Sequence, residues 1–250
     1  MESVVLEREP TPGGEAISRA ARSSSGRARP PRLRLLRDVT GVLTIELGSN
    51  AGAIVRALQS AAQDPHNRVV ILRGMERELA LGLGATNKVL EALASLPMPV
   101  IAAVEADAHT HPEFALAADV VIAGANATFG YAAPLAVRGS ADDVLRALWR
   151  HRIGRDPADA FLLSPWPLSA GRACAWTLVS EVVEPGDALN RARALADLYL
   201  SVSKGARGRL RAEFIAPVRR LLVRRGDVLL AGLGRIGSAA TAARSVGVAA

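Results

Sequence analysis

From Leu33 onward the chain alternates short apolar runs with segments of helical spacing. VTGVLTIEL (39–47) is rich in β-branched alternation and predicts a strand, and RVVILRG (68–74) predicts a short apolar strand ending at glycine. Between them AGAIVRALQSAAQ (51–63) has the spacing of an amphipathic helix. TNKVLEALASL (86–96) predicts a second helix, with Thr86 as N-cap and Pro97 and Pro99 as stop signals. PVIAAVEA (99–106) and DVVIAG (119–124) read as buried strands. PEFALAAD (112–119), between them, predicts one or two helical turns, with Pro112 at the first position and Glu113 near the positive end. Beyond about residue 140 the pattern becomes mainly helical: 141–152, 157–163, 169–177, 187–202 and 206–224, with VSEVVEP (179–185) among them. Strands alternating with helices, then a helical tail, define an α/β core followed by a helical C-terminal region.

Composition adjusts this picture in three places. Residues 1–31 are rich in Gly, Pro, Ser and Arg without apolar periodicity, which predicts a disordered basic tail. Removing residues 1–30 is therefore expected to leave the melting temperature unchanged; a fall of several degrees in a calorimetric scan would show that the tail packs. No apolar stretch reaches the roughly 18 residues of a membrane-spanning helix, and MESVVLEREP lacks the apolar core of a secretory signal. The single cysteine, Cys174, excludes an internal disulfide framework and reads as a small packed hydrophobe, in keeping with a reducing cytoplasm.

The net charge of +7 is carried mostly by arginine, in Arg8–Arg37, KGARGRLR (204–211) and VRRLLVRR (218–225). With four Phe, three Trp and two Tyr there is no interleaving of basic and aromatic residues to stack bases, which disfavours a nucleic-acid partner. A phosphate-bearing small molecule or an acidic carrier protein accounts for the sign equally well. The basic runs otherwise read as solvated helix faces.

The densest polar chemistry is HTHPE (109–113), at the mouth of an apolar element. His109, His111 and Glu113 superficially resemble a metal site, but no further ligand cluster accompanies them, and a solvent-facing or carrier-facing loop is the expectation. No metal and no cofactor is implied. AGLGRIG (231–237) lacks the preceding strand that a phosphate-binding glycine loop requires.

RVVILRG, LPMPVIAAVEADA, EFALAADVVIAGANATFG and PLSAGRACAWTLVSEVVEP resemble, in that order, the motifs of the enoyl-CoA hydratase/isomerase (crotonase) superfamily, over roughly residues 38–200. LRAEFIAP (210–217) is similar to a stretch of the crotonases of polyketide pathways, which act on acyl groups tethered to acyl carrier protein. The resemblance implies a crotonase-like spiral of ββα units, assembled as a homotrimer or a hexamer. It divides the chain into a tail (1–31), a core (32–200) and a C-terminal helical region serving as trimerisation element or lid (201–250). It also implies a chemistry in which two backbone N–H groups hold a thioester carbonyl while an enolate forms, and side chains transfer protons.

The departures from the family pattern are specific. HTHPE stands where the family has GGGCE, with one residue deleted nearby, so that Glu113 falls on the first catalytic glutamate. Thr110 falls on the glycine that provides one oxyanion donor, and the side chain of Thr110 or His111 becomes a candidate donor. Leu81 and Gly82, in the shortened loop MERELALGLGAT (75–86), are the candidates for the other. The second family glutamate corresponds to about Ala133, leaving Asp142 and Asp143 as the nearest carboxylates to replace it, and Glu213 stands where the polyketide decarboxylases have a histidine. Two functions of different class follow. One is an enzyme performing dehydration, isomerisation or decarboxylation on a CoA- or carrier-bound acyl thioester in specialised metabolism. The other is a catalytically impaired homologue serving as a carrier-binding or scaffold protein. An RNA-binding relative rests on charge alone and stands last.

Overall fold

The computed structural model describes residues 31–77, 79, 81–131, 143–164 and 166–223. The tail 1–30, Ala133, Asp142 and AGLGRIG lie outside the described residues.

A six-stranded sheet runs in the order β1-β2-β3-β4-β5-β8. Its strands are β1 (Arg34–Arg37), β2 (Val42–Glu46), β3 (Val69–Arg73), β4 (Val100–Val104), β5 (Val120–Gly124) and β8 (Glu181–Val183). Only β1 pairs antiparallel, with β2; the remaining neighbours are parallel. A parallel sheet is covered on both faces, which is why its central strands read as continuous apolar runs. Alternation along β3 shows the two faces. Val69 and Ile71 look toward one cluster with Ile101, Ala103 and Ile122, whereas Val70 and Leu72 look toward the other with Ile45, Val100 and Ala102. β6 (Thr128–Phe129) and β7 (Leu168–Ser169) form a separate antiparallel pair.

The first face is closed by α6 (Ala188–Ser201), which lays Ala188, Ala192 and Ala196 against it. Alanine at every fourth position lets the helix backbone come close to the sheet. The second face carries α1 (Ala51–Gln63) and α2 (Leu83–Ser95), with α3 (Asp143–Ile153), α4 (Arg155–Leu163) and the short α5 (Ala170–Ala175) further along. Asn50 caps α1, its side chain accepting from the Ala53 amide at 2.9 Å. Cys174 is partly buried and packs against this cluster.

Two elements differ from the sequence reading. Helix α2 begins at Leu83 with Gly82 as N-cap, so Thr86 lies inside the first turns and is buried. Residues 112–117 form a 3-10 helix rather than an α-helix, with all six residues buried between two strands. Spanning the short gap from β4 to β5 favours the tighter, more extended winding.

The C-terminal helix α7 (204–223) corrects the expectation of a solvated basic face. Its buried stripe runs Arg207, Arg211, Ile215, Val218, Leu222, the spacing of one helix face, and the last three join the main core cluster. Arg211 is 2% exposed and bonds Asp119 Oδ1 at 2.7 Å and the Leu93 and Ala117 carbonyls at 3.0 Å. Arg207 donates to the carbonyls of Tyr199, Leu200 and Val202. Arg211 thus has both terminal nitrogens of its guanidinium met, whereas Arg207 engages only Nη1, which accounts for how these cations are tolerated inside. Asp119 fills the tethering role its position suggests, since its Oδ2 accepts from the Val100 amide at 2.7 Å while its Oδ1 holds the helix. Burial pushes the Asp119 carboxyl above the usual carboxylate range, against the pull of Arg211, and burial likewise lowers Arg211.

No helix among the described residues is long and apolar enough to cross a membrane.

Candidate functional site

β3 and β4 are adjacent and parallel, so the loops that follow them leave the same edge of the sheet. The crevice beyond the carboxyl ends of parallel strands is where ligands bind in open α/β sheets. The loop after β3 turns at Gly74, whose φ of +91° suits glycine and where a Cβ would stand 3.0 Å from the Leu47 amide nitrogen. The loop after β4 carries HTHPE.

His111 joins the two loops. It is 4% exposed, and its Nε2 lies 2.8 Å from the Leu79 carbonyl oxygen across the gap between them. Its Nδ1 lies 2.8 Å from Glu113 Oε1, with Thr86 Oγ1 at a longer 3.4 Å. The ring also stacks on Phe114, with centroids 5.2 Å apart and planes inclined by 19°. A carbonyl oxygen only accepts, so Nε2 carries a proton. A single further proton is then shared between Nδ1 and the Glu113 carboxyl, and the pair is electrically neutral however that proton is placed. The expectation of an open, solvent-facing loop is thereby corrected: His111 and Glu113 point inward because each satisfies the other. Glu113 is 2% exposed, and its Oε2 is buried without a hydrogen-bond partner among the described residues.

The other candidates fall around this pair. Thr110, immediately before His111, is partly buried. The Leu81 amide donates to the Leu79 carbonyl at 2.8 Å in a tight local turn. Gly82, as the N-cap of α2, has no acceptor for its N–H within the helix, and a Cβ there would meet nothing within 4 Å. Asp142 lies outside the described residues, and Glu213 lies exposed on α7 at a cleft with Asp119 and Phe214.

His109 bonds Thr128 on β6 instead, its Nε2 lying 2.7 Å from Thr128 Oγ1. Among the described residues no three of His, Cys, Asp or Glu gather closely enough to hold a metal ion. The sequence reading missed Thr86, Asp107 and Thr128 as partners of this loop. Their only signal was position, since each is a small polar residue at the end of an apolar element.

Comparison with protein families matches residues 51–228 to the enoyl-CoA hydratase/isomerase family. The chain belongs to that family. Among solved structures, an enoyl-CoA hydratase from Mycobacterium avium subsp. paratuberculosis is 26% identical over 78% of this chain and 87% of that one, with a TM-score of 0.65. A monofunctional enoyl-CoA isomerase from M. smegmatis is 27% identical over 74% of this chain and 93% of that one, also at 0.65. A β-diketone hydrolase from the cyanobacterium Anabaena, at 24% identity, 77% and 88% coverage and a TM-score of 0.67, shares the fold. A search of the curated proteins finds no match.

Proposed function

We propose that this protein acts on an acyl thioester, removing and returning a proton beside the carbonyl while the loops after β3 and β4 hold the resulting enolate. The observation that carries this reading is the Glu113 carboxyl: Oε1 is fixed by His111 at 2.8 Å, and Oε2 is buried with no hydrogen-bond partner among the described residues. A buried acceptor left unpaired costs about 1–3 kcal/mol. Such an atom is expected where a substrate proton completes its bonding. Glu113 is then the acid–base group, and Thr110 and Gly82 are the backbone donors flanking the carbonyl. His111 has both ring nitrogens engaged and serves this arrangement as a strut between the loops.

The acyl group is carried on CoA or on acyl carrier protein, in a specialised pathway such as polyketide assembly. Family membership supports the thioester, and the likeness of LRAEFIAP supports the carrier. The charge of +7 suits either phosphate-bearing carrier. A cytoplasmic homotrimer or hexamer completes the reading.

Incubation with hydroxyacyl, enoyl and carboxyacyl thioesters on both carriers, followed by intact-mass analysis, tests it. Turnover of at least one thioester is expected, and Glu113→Gln should slow it about tenfold or more, the low end for a positioned acid–base group. Undiminished turnover in that variant would remove Glu113 from the chemistry. No turnover on any thioester, together with retained binding of a carrier protein, would favour the scaffold function instead.

A further inference from the structure

The motif KGARGRLR (204–211) plays no part in the thioester site and opens α7 at the opposite edge of the sheet. Asn67 and Arg68 stand just before β3, and residues 97–99 just before β4. About 16 Å of strand separates them from the loops that carry Gly74 and HTHPE. Lys204 and Arg207 join them around a cavity of about 320 Å³.

Three cations line this cavity, and none of them meets a carboxylate among the described residues. Arg68 donates to the Thr40 and Leu200 carbonyls and Lys204 to the Pro65 carbonyl, while Arg207 is held by its three carbonyls around the end of α6. Asp64, the carboxylate in the lining, is already taken by Arg37 and His66. Arg68 and Arg207 reach the same Leu200 carbonyl, at 3.3 and 3.4 Å, so two positive charges sit side by side. Burial and the charge of Arg68 both lower the Arg207 guanidinium. Like charges this close repel, and an anion between them turns the repulsion into attraction. α7 adds its positive end. Ser203 accepts from the Ala206 and Arg207 amides, which leaves the Lys204 and Gly205 amides without an acceptor among the described residues.

Two residues of the lining are buried with one polar atom unpaired among the described residues, and the two atoms differ in kind. Arg207 is 3% exposed and leaves the donor Nη2 over. Asn67 gives its Nδ2 to the Ala61 carbonyl at 3.1 Å and leaves the acceptor Oδ1 over. Arg207 also borders the cleft of Asp119 and Phe214. There two carboxylates, Asp119 and Glu213, stand against two guanidiniums, so charge places an anion on the Arg68 side. We infer that this cavity binds a phosphate ester bearing a hydroxyl, of the sugar-phosphate class. The phosphate oxygens accept from Arg68, Lys204, Arg207 and the first amides of α7, and the hydroxyl donates to Asn67 Oδ1. The site lies apart from Glu113 and does not depend on the thioester reading.

Calorimetric titration of the full chain with ribose 5-phosphate, at a constant ionic strength of about 0.15 M, tests the site. Saturable binding of one molecule per chain is expected. Sodium sulfate, which brings the charge without the hydroxyl, should bind about tenfold more weakly, because Asn67 Oδ1 then stays unpaired. Arg68→Gln keeps a donor for the Leu200 carbonyl but loses the charge, and should weaken ribose 5-phosphate about tenfold, the effect of one charge-assisted hydrogen bond. Lys204→Gln, at the exposed first position of α7, should weaken it about threefold, and it carries the test if Arg68→Gln does not fold. No saturable heat with ribose 5-phosphate would overturn the inference, leaving water as the partner of Arg207 and Asn67. Wild-type affinity in natively folded Arg68→Gln and Lys204→Gln would overturn it by placing the binding elsewhere. Equal affinity for sulfate and ribose 5-phosphate would overturn it too, by marking a trap for any anion.

Discussion

Replacing Asp119 by alanine should destabilise the protein by about 3–5 kcal/mol, the usual consequence of removing one partner from a buried ion pair. Arg211 would remain 2% exposed with its charge uncompensated, and its Nε already lacks a partner among the described residues. The Val100 amide at the start of β4 would lose its acceptor as well. For a protein of this size the melting temperature should fall by about 10 °C, since each kcal/mol shifts it by roughly 2–4 °C. The pair itself is no large source of stability, because burial pushes Asp119 up and Arg211 down and so opposes both charges. The double variant Asp119→Leu with Arg211→Met should therefore recover most of the loss. Calorimetry on the two singles and the double closes the cycle. Additive losses would show that the two residues do not act on each other.

A second large effect is expected at His111. His111→Ala removes the donor to Glu113 Oε1 and the donor to the Leu79 carbonyl, leaving two acceptors to be satisfied. At about 1–3 kcal/mol for each buried unsatisfied acceptor, at least about 2 kcal/mol of stability should be lost. Thioester turnover should fall further than in Glu113→Gln, by about a hundredfold or more, because the base loses its orientation and the loops after β3 and β4 lose their link. His111→Phe separates the two contributions. It preserves the stacking partner of Phe114, so part of the stability should return while turnover stays low. Full turnover in His111→Phe would show that the strut has no part in the chemistry.

The central strands were legible because β2, β3, β4 and β5 are buried on both faces, and burial writes itself as apolar runs. β1 left no such mark. RLLR is exposed at all four positions and is a strand only because it pairs with β2. β8 could be read as an extended apolar segment, but its place beside β5 depends on a pairing across nearly sixty residues that local pattern does not encode. The stripe of α7 had the correct period, yet two of its five positions are arginines. Only the tertiary acceptors of Arg207 and Arg211 explain why they face inward. At the site, the order of motifs located HTHPE and Glu113, but sequence spacing could not show that alternate residues of that loop serve different partners. His109 turns to Thr128 and His111 to Glu113 because the backbone there is neither strand nor helix, so neither period applies.

The bonds from Arg211 to Asp119 and to Leu93 join residues 92 and 118 positions apart. A ribosome delivers the carboxylate and its carbonyl neighbours long before it delivers the guanidinium that meets them. Throughout that interval Asp119 and the apolar surface that Ile215, Val218 and Leu222 later cover are without their α7 partners. Contacts of such sequence separation form slowly, and exposed apolar surface in the meantime invites association. The α7 clasp thus closes only after the strands it joins have been made, and the stretch of synthesis before it emerges is when this chain is most open to association.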